Sequence, residues 1–140
     1  MHLPRRGYAS ELRDAGCIGY SQGDAPFLDN QVLLRALQYA TTFGFSVWLR
    51  AQDASLARGG VAHDGEVATR LGLPPIPVCA ETVALSAILL LVRETGARVH
   101  LCRLSSAQGV DLVRAAKREG LPVTCDVAAT HVHLTEMDIG

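Results

Sequence analysis

Strand-like and helix-like stretches alternate four times along this chain, and that alternation limits the fold more than any other feature. Cys17-Ile-Gly-Tyr20 reads as a short strand, preceded by a helical piece around Ser10 to Ala15. Asn30 is placed to cap a helix running to about Phe43, with Leu33, Ala36, Leu37 and Ala40 at helical spacing and Gly44 as the stop. Ser46-Val-Trp-Leu49 is the second strand, with Trp48 expected in the core. An irregular stretch follows from Arg50 to about Pro77, holding Gly59-Gly60, a turn at His63-Asp-Gly-Glu66 that feeds a helix with Glu66 in its first turn, and the breaker Pro74-Pro-Ile-Pro77. A long helix then spans about Cys79 to Thr95 and ends at Gly96. Arg98 to Arg103 is the third strand, Ser105 or Ser106 caps a helix to Gly120, and Pro122 to Val127 is the fourth strand.

Strands joined through helices require parallel βαβ units with right-handed crossovers. Two architectures satisfy that pattern: a small doubly wound sheet, or about half of an eight-stranded βα barrel. A whole barrel takes roughly 250 residues, and this chain has 140, enough for one domain over residues 1–140. A half barrel would carry two unpaired sheet edges. The pattern by itself leaves both open.

Charge and composition exclude several classes of function. Thirteen basic against fourteen acidic residues give a net charge of −1, which offers no footprint for nucleic acid or an anionic membrane. The longest apolar run, Ala84 to Val92, is far short of the roughly 20 residues of a membrane span. No apolar stretch follows the two N-terminal arginines, so no secretory signal is expected and the chain reads as cytoplasmic. The four cysteines (Cys17, Cys79, Cys102, Cys125) form no Cys-x-x-Cys pair. Three lie in apolar runs and are expected as reduced, small buried hydrophobes. Lys117 is the single lysine, which leaves one candidate for any lysine chemistry.

In either architecture the working residues lie just past the carboxyl ends of the strands. Those positions are Ser21 to Asp24, Arg50 to Asp53, Arg103 to Ser106 and Ala128 to His133. A hydrolytic zinc site needs about three imidazole or carboxylate ligands and an open position. Only Asp24, Asp53, His131 and His133 qualify, while Arg50 and Arg103 stand at two of the strand ends, and guanidinium neither ligates nor loses its proton. His131-x-His133 would align both rings only on a strand, and reads more simply as a polar loop. There is no Gly-x-Ser-x-Gly elbow and no phosphate-binding glycine loop. The helix start at Ser105-Ser106 beside Arg103 could hold an anion, but it reads more simply as a capped helix with a rim arginine paired to a carboxylate. His100, flanked by Val99 and Leu101, reads as a satisfied interior histidine.

From about Leu12 onward these segments resemble the dihydroorotases of the amidohydrolase superfamily. The resemblance rests on Gln31-Val-Leu-Leu-Arg-Ala-Leu-Gln-Tyr-Ala40, Gly60-Val-Ala-His-Asp-Gly-Glu-Val67, Arg70-Leu-Gly-Leu73 and Ala80-Glu-Thr82. It continues through Arg93-Glu-Thr-Gly-Ala-Arg98, Val99-His-Leu-Cys-Arg-Leu-Ser-Ser106 and Leu121-Pro-Val-Thr-Cys-Asp126. It implies a metal-dependent βα barrel that interconverts carbamoyl-aspartate and dihydroorotate in pyrimidine synthesis. It selects the partial-barrel architecture, with this chain as the middle segment.

Active members would have His at the end of the second strand in a His-Ala-Glu-Asp-like run, where this chain has Arg50-Ala-Gln-Asp53. They would have His before a Val-Ser-Thr-like run, where it has Arg103-Leu-Ser-Ser106, and a carboxylate after the first strand, where it has Ser21-Gln-Gly-Asp24. The resemblance thus puts Gln22, Arg50 and Arg103 at three ligand positions, and losing imidazole and carboxylate there removes the activated water. No cofactor is expected in the chain, although active relatives use zinc. The pattern is most similar to the non-catalytic dihydroorotase-like proteins that accompany aspartate transcarbamoylase in some bacteria. That implies an oligomer containing the transcarbamoylase catalytic subunit and a vestigial or anion-binding pocket of Arg50, Arg103, Ser105 and His131. In that pocket the arginines would pair with Asp24, Asp126 or a bound anion. The alternatives are a working dihydroorotase drawing ligands from other strands and from His131 and His133, and a doubly wound anion-binding domain.

Overall fold

A computed structural model describes residues 8–23 and 29–139 of the chain. In chain order the elements are α1 (Tyr8–Asp14), β1 (Gly19–Ser21), α2 (Asn30–Phe43), β2 (Ser46–Arg50), β3 (Ala62–His63) and α3 (Glu66–Leu71). They continue as β4 (Pro75–Ile76), α4 (Cys79–Thr95), β5 (Arg98–Leu104), α5 (Ala107–Arg118), β6 (Val123–Val127), α6 (Thr130–His133) and a 3-10 turn at Glu136–Asp138. Boundaries shift slightly from the sequence reading. The first strand begins at Gly19 rather than Cys17, and the cap of α2 is Asp29, whose Oδ1 accepts from the Gln31 N–H at 2.7 Å. Within the stretch expected to be irregular, α3 opens at Glu66 as the preceding turn implies, and a small parallel pair, β3 with β4, is unanticipated.

The main sheet is fully parallel, in the order β1-β2-β5-β6. That order decides between the two architectures. A doubly wound sheet reverses its strand order at a switch point and carries helices on both faces. Here spatial order follows chain order, so right-handed crossovers put every connecting helix on the same side. Accordingly α2 packs on α4 and α4 on α5, a single helical layer over a single face. This is part of a βα barrel wall, not a doubly wound sheet.

Alternation along each strand builds the core. Val47 and Leu49 of β2 and Val99 and Leu101 of β5 are buried beneath Leu33 and Leu37 of α2 and Leu85 and Val92 of α4. Trp48 between them must point the other way. It is 43% exposed, with its ring 5.1 Å from that of His100, so it is not the core residue expected from its apolar run. The cysteines also differ from expectation: all four are free, Cys17 and Cys79 are exposed, and Cys102 and Cys125 are only half-buried. Cys79 opens α4, and Cys102 shares the Trp48 side of the sheet.

Near its end β5 departs from strict alternation. The β5–β6 register shifts between Leu101 and Leu104, and Arg103 takes a left-handed φ of 57°. The extra residue returns Leu104 to the helix-facing side, where it is fully buried. A non-glycine residue in that conformation costs about 1–2 kcal/mol, so neighbouring contacts must hold it.

The one-sided core makes a direct prediction. Leu49→Ala should cost about 3 kcal/mol, and Trp48→Ala should cost less despite the larger side chain. Urea midpoints of the two variants check this. A Trp48→Ala loss equal to or above that of Leu49→Ala would contradict the one-faced packing.

Candidate functional site

The carboxyl ends of β1, β2, β5 and β6 gather the strand-end residues. Gln22 follows β1, and its backbone N–H donates to Trp48 O at 3.2 Å while its side-chain Oε1 accepts from the Arg50 N–H at 3.2 Å. Gln22 therefore stitches the exits of β1 and β2 together, and its amide oxygen is committed to that bond. Arg50 closes β2 with an exposed side chain. Three residues later, Asp53 accepts from the Ser55 hydroxyl and from the Ser55 and Leu56 N–H groups. The Ser55 hydroxyl and the Leu56 N–H are the main reasons its carboxyl lies below the usual range. Asp53 is thus the anchor of a turn. Asp24 lies outside the described residues.

At the β5 exit two carboxylates fix the backbone. Asp126 of β6 accepts the Arg103 N–H on Oδ1 at 2.6 Å and contacts His100 Nε2 through Oδ2 at 3.0 Å. The bond from the Arg103 N–H is the largest cause holding the Asp126 carboxyl below its ordinary value, with the His100 ring adding to it. The other nitrogen of His100, Nδ1, meets Thr124 Oγ1 at 2.7 Å. His100 is accordingly a satisfied histidine, as its flanking residues imply. Cys102 stands on the same side; burial first, then the Asp126 charge, push its thiol up, against an opposing pull from Arg103.

Glu81, in the first turn of α4, is the second carboxylate and is nearly buried, at 9% exposure. Its Oε2 accepts the Ser105 N–H and hydroxyl, both at 2.8 Å, and its Oε1 accepts the Ser106 N–H at 3.0 Å and hydroxyl at 2.5 Å. Free N–H groups at a helix start do attract an anion, and here the anion is the chain's own side chain. At the helix start beside Arg103, the Ser105 and Ser106 N–H groups are thus met by Glu81. Ser106 is the cap of α5, accepting from the Gly109 N–H at 3.0 Å. Gly109 is required for the approach, since a Cβ there would lie 2.3 Å from Glu81 Oε1.

His131 and His133 do not form a ligand pair. They lie on the short helix α6, where residues two apart diverge around the axis, and both are exposed. The structure thus brings Gln22 together with Arg50 and Arg103 together with Asp126, and leaves the two histidines on the surface. One amide oxygen already bonded to a backbone N–H and two guanidinium groups do not fit a catalytic divalent cation.

A family model described as dihydro-orotase-like matches residues 8–109. The chain belongs to the dihydroorotase-like family. It is 48% identical over 138 residues to a dihydroorotase-like protein of Pseudomonas aeruginosa, covering 94% of this chain and 33% of that protein. A dihydroorotase-like protein of Pseudomonas putida is 47% identical over 128 residues, covering 91% and 30%. A dihydroorotase of Anaeromyxobacter sp. strain K is 42% identical over 130 residues, covering 93% and 30%. Among solved structures, the L-hydantoinase of Arthrobacter aurescens superposes with a TM-score of 0.75 at 23% identity, covering 93% of this chain and 31% of that one. That likeness supports the partial βα-barrel fold. The chain spans about a third of the length of the relatives it matches. No helix among the described residues is long and apolar enough to cross a membrane.

Glu81 carries no local signal beyond a carboxylate in a first helical turn, because its partners stand 24 and 25 residues away. In this dihydroorotase-like chain Glu81→Ala strands four donors. We expect a loss of about 3 kcal/mol in urea unfolding, with a smaller loss for Glu81→Gln, whose amide oxygen still accepts. A loss below about 1 kcal/mol for Glu81→Ala would show that the clamp is not needed.

Proposed function

We propose that this chain is the middle of a dihydroorotase-like barrel that performs no dihydroorotase chemistry of its own and instead supports the assembly of aspartate transcarbamoylase in pyrimidine synthesis. The observation that carries the reading is the chemistry of the strand ends. Opening a cyclic amide in this family calls for a metal-activated water, and Gln22, Arg50 and Arg103 supply no ligand set for one. The residues there serve shape instead. Gln22 joins two strand exits, and Arg103 occupies a bulge held by Asp126. A domain relieved of catalysis can still present a rigid outer layer of helices to a partner, and α2, α4 and α5 form such a layer. The similarity to the two Pseudomonas dihydroorotase-like proteins, at 48% and 47%, favours this reading over a working dihydroorotase.

The test of the partnership is sedimentation of the gene product that carries this chain, alone and with the catalytic subunit of the aspartate transcarbamoylase from the same source. The reading predicts a heavier species containing both proteins and a transcarbamoylase that loses its assembly when this protein is withheld. Two species sedimenting independently, with an unchanged transcarbamoylase, would overturn the structural role.

A further inference from the structure

The helix-free side of the sheet carries a group of side chains that the functional reading leaves unused. His100 and Cys102 are two residues apart on β5 and share that side, and Asp126 stands beside them on the paired strand β6. One nitrogen of His100, the sulfur of Cys102 and a carboxylate oxygen of Asp126 all lie within 4.8 Å of one another. Ligands on a tetrahedral ion at bond lengths of about 2.0–2.3 Å stand roughly 3.5 Å apart, so small rotations of these side chains would bring all three onto one ion.

We propose that His100, Cys102 and Asp126 bind a borderline-soft divalent cation of the zinc type, clasping β5 to β6 at the Arg103 bulge. The inference goes beyond the functional reading, because it uses none of Gln22, Arg50 or Arg103 and assigns the ion no part in hydrolysis. Three features of the site suit an ion. The first is the donor set: nitrogen, sulfur and oxygen select zinc-like ions and disfavour magnesium or calcium, which take oxygen ligands.

The second feature is the outer shell, which orients ligands as strongly as the ligands hold the ion. With Nε2 on the metal, His100 keeps Nδ1–H to donate to Thr124 Oγ1, 2.7 Å away. Asp126 keeps Oδ1 on the Arg103 N–H and has Oδ2, now 3.0 Å from His100 Nε2, to turn toward the ion. Binding therefore exchanges one histidine–carboxylate contact for three metal bonds and disturbs neither anchor.

The third feature is charge. A thiolate and a carboxylate neutralise a dication, so the nearby Arg103 guanidinium would face a neutral complex instead of a bare 2+ charge. The Cys102 proton leaves to solvent on binding. Trp48 lies on the same helix-free side, with its ring 5.1 Å from that of His100.

The experiment is titration of the full 140-residue chain with cobalt(II) under reducing, oxygen-free conditions, read by absorbance, with circular dichroism confirming the fold of each variant. We expect a sulfur-to-cobalt charge-transfer band that saturates at one equivalent and is displaced by zinc. Cys102→Ser should abolish the band, while the C17S/C79S/C125A variant should retain it. Thr124→Val should weaken cobalt binding by about tenfold, the size of an outer-shell effect. The proposal is overturned if the folded chain shows no such band, if the band survives Cys102→Ser, or if it requires one of the other three cysteines. Each outcome is independent of whether the protein assembles with a transcarbamoylase.

Discussion

The carboxylate of Glu81 is the interaction on which the rest of this structure depends. It lies under the start of α5, where the first N–H groups of a helix have no partner within the helix, and takes two N–H and two hydroxyl bonds from Ser105 and Ser106. That clamp ties the first turn of α4 to the junction of β5 and α5, at the opposite end of α4 from the Arg93–Glu119 ion pair. It also fixes the chain just past Arg103, so that the left-handed residue is held from both sides, by Asp126 through its N–H and by Glu81 two residues on. At this end of the sheet the carboxylates of Asp126 and Glu81 both hold backbone N–H groups.

The second constraint is the one-sidedness of the sheet. Because the strands follow chain order, the helices cover one face, and the other carries Trp48, His100, Cys102 and Thr124. In a closed βα barrel the helix-free face is the filled interior. The polar character of that face, unusual for a sheet with so apolar a helical side, makes it the place to look for chemistry independent of the strand ends.

Much of this was legible in the sequence because it is periodic. The span of α4, the strands β2, β5 and β6 and the cap at Ser106 follow from spacing and capping alone. The exposure of Trp48 was legible in principle, since Val47 and Leu49 alternate with it, but an apolar run reads as core unless the sheet is known to be covered on one side only. The β5 bulge has no sequence mark: Cys102-Arg103 looks like more strand, and only the burial of Leu104 shows that a residue has been inserted. Glu81 could not be assigned from its neighbours, because its partners lie a whole βα unit downstream. His131-x-His133 was misleading, since its meaning depends on whether the backbone is extended or helical, and two residues in a short helix face apart.

The central claim is that the strand-end chemistry of this dihydroorotase-like protein has been given over to structure. It is tested most directly by dihydroorotate turnover, measured with the gene product that carries this chain, in complex with its transcarbamoylase and with saturating zinc. The account predicts no hydrolysis above the uncatalysed rate, with or without chelator. Turnover that a chelator abolishes and zinc restores would contradict it, and would mean that ligands other than Gln22, Arg50 and Arg103 build a working centre.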